Sequence, residues 1–169
     1  MEGRRCKTYA IDLRQGPSGD VIRRSVRRRL AAMMYSGNCM GILVATPCTS
    51  YSVARRPAVR SSEFPMGLPT LNERDRIRVQ AANFVTQCTV WLLALASRLG
   101  IPWVLENPQS SLLWKVPAIQ QLSRRARTED TLLHQCQFGT PYNKASVLRS
   151  SGMVAMWKME RICFPVAKL

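Results

Sequence analysis

The segment between residues 41 and 105 constrains the fold most, because two apolar runs flank a long helical pattern. Residues 41–46 are apolar without alternation and stop at Pro47, which is typical of a parallel strand covered on both faces. Residues 72–99 carry apolar side chains at the helical period. Residues 102–105 follow as a second apolar run. This order predicts a strand–helix–strand unit with parallel strands.

Weaker patterns lie on both sides of this unit. Residues 7–12 predict a short strand, and residues 20–35 predict a helix with apolar positions on one face and arginines on the other. Residues 110–122 favour one or two short helices. Residues 132–138 and 146–149 favour a pair of strands.

These elements together predict one α/β domain over residues 1–169, with an open, mainly parallel sheet flanked by helices. In such sheets, ligands bind beyond the carboxyl ends of the strands. Asp12, Cys48 and Glu106 all fall at the ends of predicted strands. We therefore expect these three side chains to approach one crevice.

The balance of charge points to a polyanionic partner. The chain has 25 Lys and Arg against 10 Asp and Glu, a formal net charge of +15, and nucleic acid is the first partner to consider. Residues 55–72 contain Arg55, Arg56 and Arg60 among prolines and glycines, which favours a long basic loop next to the active site. An arginine cluster at residues 23–29 is either a solvated helix face or a phosphate-contacting face.

Cysteine and histidine usage argues against a metal site. The six cysteines show no paired spacing, and His134 is the only histidine. We expect free thiols in a reducing compartment, hence an intracellular protein of the nucleus or cytoplasm that is not secreted. The longest apolar run, residues 90–96, is too short for a bilayer, so no membrane association is expected.

Two residues could carry chemistry at the expected crevice. Cys48 follows a buried strand and a proline, a setting in which a thiolate can act as a nucleophile, although most intracellular cysteines only pack. Glu106 precedes Asn107 and Pro108 at the end of the next strand, and capping a turn is the plain alternative for this carboxylate. A nucleophile beside a hydrogen-bonding acid suits addition to an electron-poor ring.

Residues 45–52, Ala-Thr-Pro-Cys-Thr-Ser-Tyr-Ser, and residues 105–108, Leu-Glu-Asn-Pro, resemble the two central motifs of the cytosine-5 DNA methyltransferases. The resemblance implies a partial Rossmann-like methyltransferase fold. It also implies that Cys48 attacks C6 of a flipped cytosine, that Glu106 holds the N3 edge of the base and that Asn107 positions the site. The methyl group then passes from S-adenosylmethionine to C5.

The same resemblance suggests softer assignments. Asp12, Asp20 and Pro47 would bind the cofactor, and five basic residues would contact the nucleic acid, with DNA as the expected form: Arg55, Arg56, Arg60, Lys144 and Arg149. The Gly-rich cofactor loop of the family is not found in the sequence. The domain is therefore predicted to be incomplete at its N-terminus, with an upstream segment or a partner chain completing the cofactor site.

Two other classes of function stay open. The chain could be a non-catalytic basic nucleic-acid-binding protein of a mobile element or virus, which the arginine-rich segments favour. It could also be an α/β enzyme that acts on a small molecule, and such an enzyme would have no basic approach to its pocket.

Overall fold

The computed structural model describes residues 7–141 and 143–152. Its regular elements are a mixture of helices and strands, so the predicted α/β class is confirmed. In chain order they are α1 (Arg24–Tyr35), β1 (Ile42–Ala45), α2 (Glu73–Arg98), β2 (Trp103–Pro108), α3 (Pro117–Ala126), β3 (Glu129–His134) and β4 (Ala145–Ser151), with 3-10 turns at Leu13–Gly19, Leu112–Lys115 and Gln135–Phe138.

The four strands form one open sheet in the order β1-β2-β4-β3. β1 and β2 are parallel, as the strand–helix–strand pattern predicts. β4 lies antiparallel to both β2 and β3. The strand pair expected near residues 132–149 therefore exists, but it docks against β2 and makes most of the described sheet antiparallel. The prediction of a mainly parallel sheet is wrong for the described residues.

One apolar core joins the helices to one face of the sheet. Met34 of α1, Leu93 of α2 and Ile119 of α3 all belong to it, together with Trp103 and Leu105 of β2. Because side chains alternate along a strand, Asn107 lies on the same face as Trp103 and Leu105, while Glu106 lies on the other. The three described helices thus share a single core, and helices on both faces are not confirmed.

The N-terminal segment differs from its prediction. Residues 7–12 form no strand, and Tyr9 is 61% exposed, so its side chain has little to pack against. Asp12 instead caps the 3-10 turn Leu13–Gly19, and its Oδ1 accepts a hydrogen bond from the Arg14 amide at 2.8 Å. The backbone of Gly19 lies so close to Asp12 that a Cβ there would clash with its carbonyl oxygen.

The long helix α2 agrees with its predicted bounds. Asn72 caps it by accepting a hydrogen bond from the Asp75 amide, and two acidic side chains lie in its first turn. Among the described helices, only α2 is long and apolar enough to cross a bilayer by length and composition. Nine of its side chains are buried in the domain, and the core helices of globular proteins meet the same criterion.

Candidate active site

The register of β1 against β2 brings the two sequence motifs together. Ala45 pairs with Glu106, so the carboxyl ends of both strands meet at one edge of the sheet. Asn107 is fully buried, and its Nδ2 donates a hydrogen bond to the carbonyl oxygen of Thr46 at 2.7 Å. Asn107 therefore fixes the end of β1 immediately before Pro47 and Cys48. The role of Asn107 in positioning a substrate stays a prediction.

Cys48 lies in a tight turn that is anchored on both sides. Its carbonyl oxygen accepts a hydrogen bond from the Tyr51 amide at 2.9 Å, and its thiol is free and partly exposed. Tyr51 is fully buried, and its hydroxyl lies 2.8 Å from Oγ1 of Thr86 on α2. The Tyr51 carbonyl oxygen accepts from the Leu112 amide at 2.9 Å. The turn thus holds a reachable thiol on an immobilised backbone.

Glu106 keeps an unused acceptor. Its Oε1 is buried and has no hydrogen-bond partner among the described residues, although the Nζ of Lys144 lies 3.7 Å away. A buried carboxylate oxygen without a partner is energetically costly, which favours a ligand group at this position. The described contacts include none between the side chains of Cys48 and Glu106. The structure brings the backbones at the ends of β1 and β2 to one edge of the sheet.

Arg60 does not fit its predicted role as a nucleic-acid contact. It is only 4% exposed, and its guanidinium lies 3.9 Å from the centroid of the Tyr51 ring. Burial lowers the pKa of this guanidinium below its ordinary value. It donates hydrogen bonds to five acceptors within the protein: Ser50 O, Ser50 Oγ, Pro65 O, Val79 O and Asn83 Oδ1. Arg60 is a structural anchor of the loop.

The rest of the predicted basic loop is also partly committed to internal contacts. Arg55 forms an ion pair with Asp75 of α2 at 2.6 Å, and its side chain is 19% exposed. Arg56 is exposed, with Nη1 bonded to the carbonyl oxygens of Val53 and Arg55 at 2.9 Å. Of the three arginines predicted here to meet nucleic acid, Arg56 alone presents an exposed side chain.

The two basic residues predicted near β4 have different settings. Lys144 faces Glu106, as described above. Arg149 lies on the other face, where Nε and Nη2 donate to the two carboxylate oxygens of Asp130 at 2.7 Å each. Its Nη1 donates to Ser123 Oγ at 3.1 Å, and its guanidinium lies 4.6 Å from the Trp114 ring centroid. Arg149 is therefore neutralised locally and held rigidly.

The residues predicted to bind the cofactor do not form a cofactor pocket in the described structure. Asp12 does not end a strand, because residues 7–12 are not a strand, and its carboxylate caps a 3-10 turn. Asp20 accepts a hydrogen bond from the Ile22 amide at 3.0 Å and lies 3.7 Å from Arg23 Nε. Pro47 follows β1 as predicted. Of the three residues expected at one crevice, Cys48 and Glu106 lie at the ends of paired strands, and Asp12 does not.

Sequence reasoning missed two other features. Cys136 is disulfide-bonded, so the expectation of free thiols throughout is wrong. A groove runs beside the Trp114 and Arg149 stack, formed by two adjoining concavities of about 550 and 410 Å³. The cluster of Arg124, Arg125 and Arg127 at the end of α3 was the sequence signal that could have indicated it.

Comparison with known proteins gives no independent assignment. A scan against protein-family models, a search of curated proteins and a search of solved structures each found no match for this chain.

Proposed function

We propose that the chain is a cytosine-5 DNA methyltransferase-like protein, in which Cys48 adds to a flipped cytosine and Glu106 binds the edge of the base. The observation that carries this proposal is the β1–β2 register, which pairs Ala45 with Glu106 and ties the turn of Cys48 to β2 through Asn107. The partner is nucleic acid, with DNA as the expected form, because a net charge of +15 favours a polyanion.

The chemical step uses the two side chains at the sheet edge. The Cys48 thiolate forms a bond to C6, and the electron pair of the C5–C6 double bond moves towards C5 and the N3 edge. Glu106 holds the N3 edge of the base, where its Oε1, which has no hydrogen-bond partner among the described residues, accepts from the exocyclic amino group. C5 then takes a proton from water. The hydroxide left from that water removes the original C5 hydrogen as a proton, and the thiolate leaves C6 as the C5–C6 double bond forms again.

In the proposed full reaction, S-adenosylmethionine supplies a methyl group to C5. The described residues around Asp12 and Asp20 do not by themselves build its pocket. An upstream segment or a partner chain would have to contribute the remainder of that site.

Exchange of the C5 hydrogen tests the nucleophile without the cofactor. The full chain is incubated with DNA that carries tritium at cytosine C5, and release of tritium to water is measured. We expect Cys48→Ser to abolish release and Glu106→Gln to reduce it at least tenfold, whereas Cys39→Ser, which removes another partly exposed free thiol, leaves release unchanged. Release that survives Cys48→Ser, or no release from the unaltered chain, would refute the proposed addition.

Methyl transfer is tested separately with DNA containing 5-fluorocytosine and S-adenosylmethionine. Fluorine at C5 cannot leave as a proton does, so a methylated intermediate stays bonded to Cys48 and shifts the protein on a denaturing gel. If the chain exchanges the C5 hydrogen but forms no adduct, the proposal that Cys48 adds to the base stands, and the proposal that this chain transfers a methyl group is rejected.

A second candidate function is non-catalytic nucleic-acid binding in a mobile element or virus. The exposed arginines of α1 favour it, since Arg24 and Arg28 point to solvent and the described ion pairs include neither. Nucleic-acid binding without C5 exchange would select this candidate.

A further inference from the structure

The groove beside α3 is lined by cations that form no ion pair within the described residues and by the ion pair between Arg149 and Asp130. Its two concavities share Trp114, Asp130 and Arg149, so they form one continuous surface. Arg124 and Arg127 line one half, and Lys115 lines the other. All three are exposed, and the ion pairs found within the described residues include none of them. Exposed cations therefore line both concavities, which share the ion pair between Arg149 and Asp130.

The middle of the groove holds a cation that is neutralised by its neighbour. The carboxylate of Asp130 accepts two hydrogen bonds from Arg149 at 2.7 Å each, which is the bidentate geometry that a guanidinium also offers to a phosphate. Stacking on Trp114 and the bond to Ser123 orient the guanidinium independently of that pair. Removal of the Asp130 charge would leave an oriented arginine facing the groove.

We propose that this groove binds the sugar–phosphate backbone of a nucleic-acid strand through Lys115, Arg124 and Arg127, and that Asp130 weakens binding by neutralising Arg149. The proposal rests on the proposed function only in taking nucleic acid as the partner. The groove lies against the core face of β4, since Arg149 pairs with Leu105 of β2, whereas Glu106 occupies the opposite face. It is thus distinct from the base-binding edge, and its loss leaves Cys48 and Glu106 untouched.

Removing the arginines of the groove and removing the Asp130 carboxylate should change the affinity for DNA in opposite directions. The probe is a fluorescent single-stranded DNA, and the dissociation constant of the full chain is measured from about 50 to 200 mM salt. We expect Arg124→Ala/Arg127→Ala to raise Kd about tenfold and to lower the salt slope by about 1.4, since each lost phosphate contact on a single strand removes about 0.7. Asp130→Asn should lower Kd about threefold or more and raise the slope.

A matched control separates the groove from overall charge. Arg74→Ala/Arg98→Ala removes two exposed arginines of α2, which do not line the groove, and should change Kd less than twofold. Equal effects of the two double variants, or weaker binding by Asp130→Asn, would overturn the proposal. The proposal would also be overturned if Arg124→Ala/Arg127→Ala lost binding to phosphatidylserine vesicles and bound DNA with unchanged Kd. The anion would then be a lipid headgroup.

Failure of the groove and failure of the base-binding site can be told apart. Cys39→Ser should bind the probe with unchanged Kd, because this partly exposed thiol lines neither concavity of the groove. If Cys48→Ser abolishes C5 exchange while the groove variants leave binding unaltered, the groove proposal fails and the proposed function stands.

Discussion

Replacement of Arg60 by Met should cost the domain a large part of its stability. The variant keeps the unbranched stem of the side chain but removes a guanidinium that donates to five acceptors and stacks on Tyr51. A buried acceptor left without a partner costs about 1–3 kcal/mol, and relief of the buried charge offsets part of the total. We expect the free energy of unfolding to fall by about 3–5 kcal/mol.

Urea unfolding followed by tryptophan fluorescence measures this change. With a slope of about 2 kcal/mol per molar urea, the midpoint should fall by about 1.5–2.5 M. Arg60→Lys keeps the charge but cannot reproduce the fork of donors, so its midpoint should lie between those of Arg60→Met and the unaltered chain. Arg56→Met is the matched control, since this neighbouring arginine is exposed, and it should change stability by less than about 1 kcal/mol. Equal midpoints for Arg60→Met and Arg56→Met would refute the anchoring role.

Three other changes test contacts that position the site. Asn107→Ala removes the donor to Thr46 O, so unfolding free energy should fall by about 2 kcal/mol and C5 exchange should slow, both measured on the same preparation. Gly19→Ala would place a Cβ against the Asp12 carbonyl and should lower the melting temperature by several degrees, whereas Gly41→Ala, whose Cβ would meet Pro102 O at an ordinary 3.5 Å, should lower it less. Tyr51→Phe removes a buried hydroxyl whose partner Thr86 also donates to Ala82 O, so urea unfolding should show a loss of only about 1 kcal/mol in the free energy of unfolding. An unchanged free energy of unfolding in Asn107→Ala would contradict the contact assigned to Asn107. A loss above about 3 kcal/mol in Tyr51→Phe would contradict the contact assigned to Tyr51.

The central strand–helix–strand unit could be predicted because its signals are local. Apolar runs without alternation gave β1 and β2, and the helical period with the Asn72 cap gave α2 within one residue of its ends. Which strands pair with each other cannot be predicted from such local patterns. Nothing in residues 145–151 indicates that β4 would lie beside β2, because that choice depends on which edge the β3–β4 pair can cover.

The candidate site was predictable in part for the same reason. Cys48 and Glu106 end strands that were correctly placed, so their shared edge follows from a parallel pair. Arg60 was misjudged because proline and glycine around an arginine indicate an exposed loop. Its acceptors are mostly backbone carbonyl oxygens of residues 50, 65 and 79, and no side-chain pattern marks where such atoms converge. The prediction that Asp12 ends a strand is wrong because residues 7–12 form no strand.

The hydrogen bond from Asn107 to Thr46 has a consequence for how the chain can vary. It joins Asn107, near the end of β2, to Thr46, the residue that follows β1. The separation of the Cys48 turn from Glu106 is therefore set across about one strand spacing rather than through the 26 residues of α2 or the segment before it. Length changes in residues 53–70 that preserve the Arg60 contacts would then leave this separation intact. The sequence of residues 53–70 can therefore change, and contact new partners, while the distance between the Cys48 turn and Glu106 stays the same.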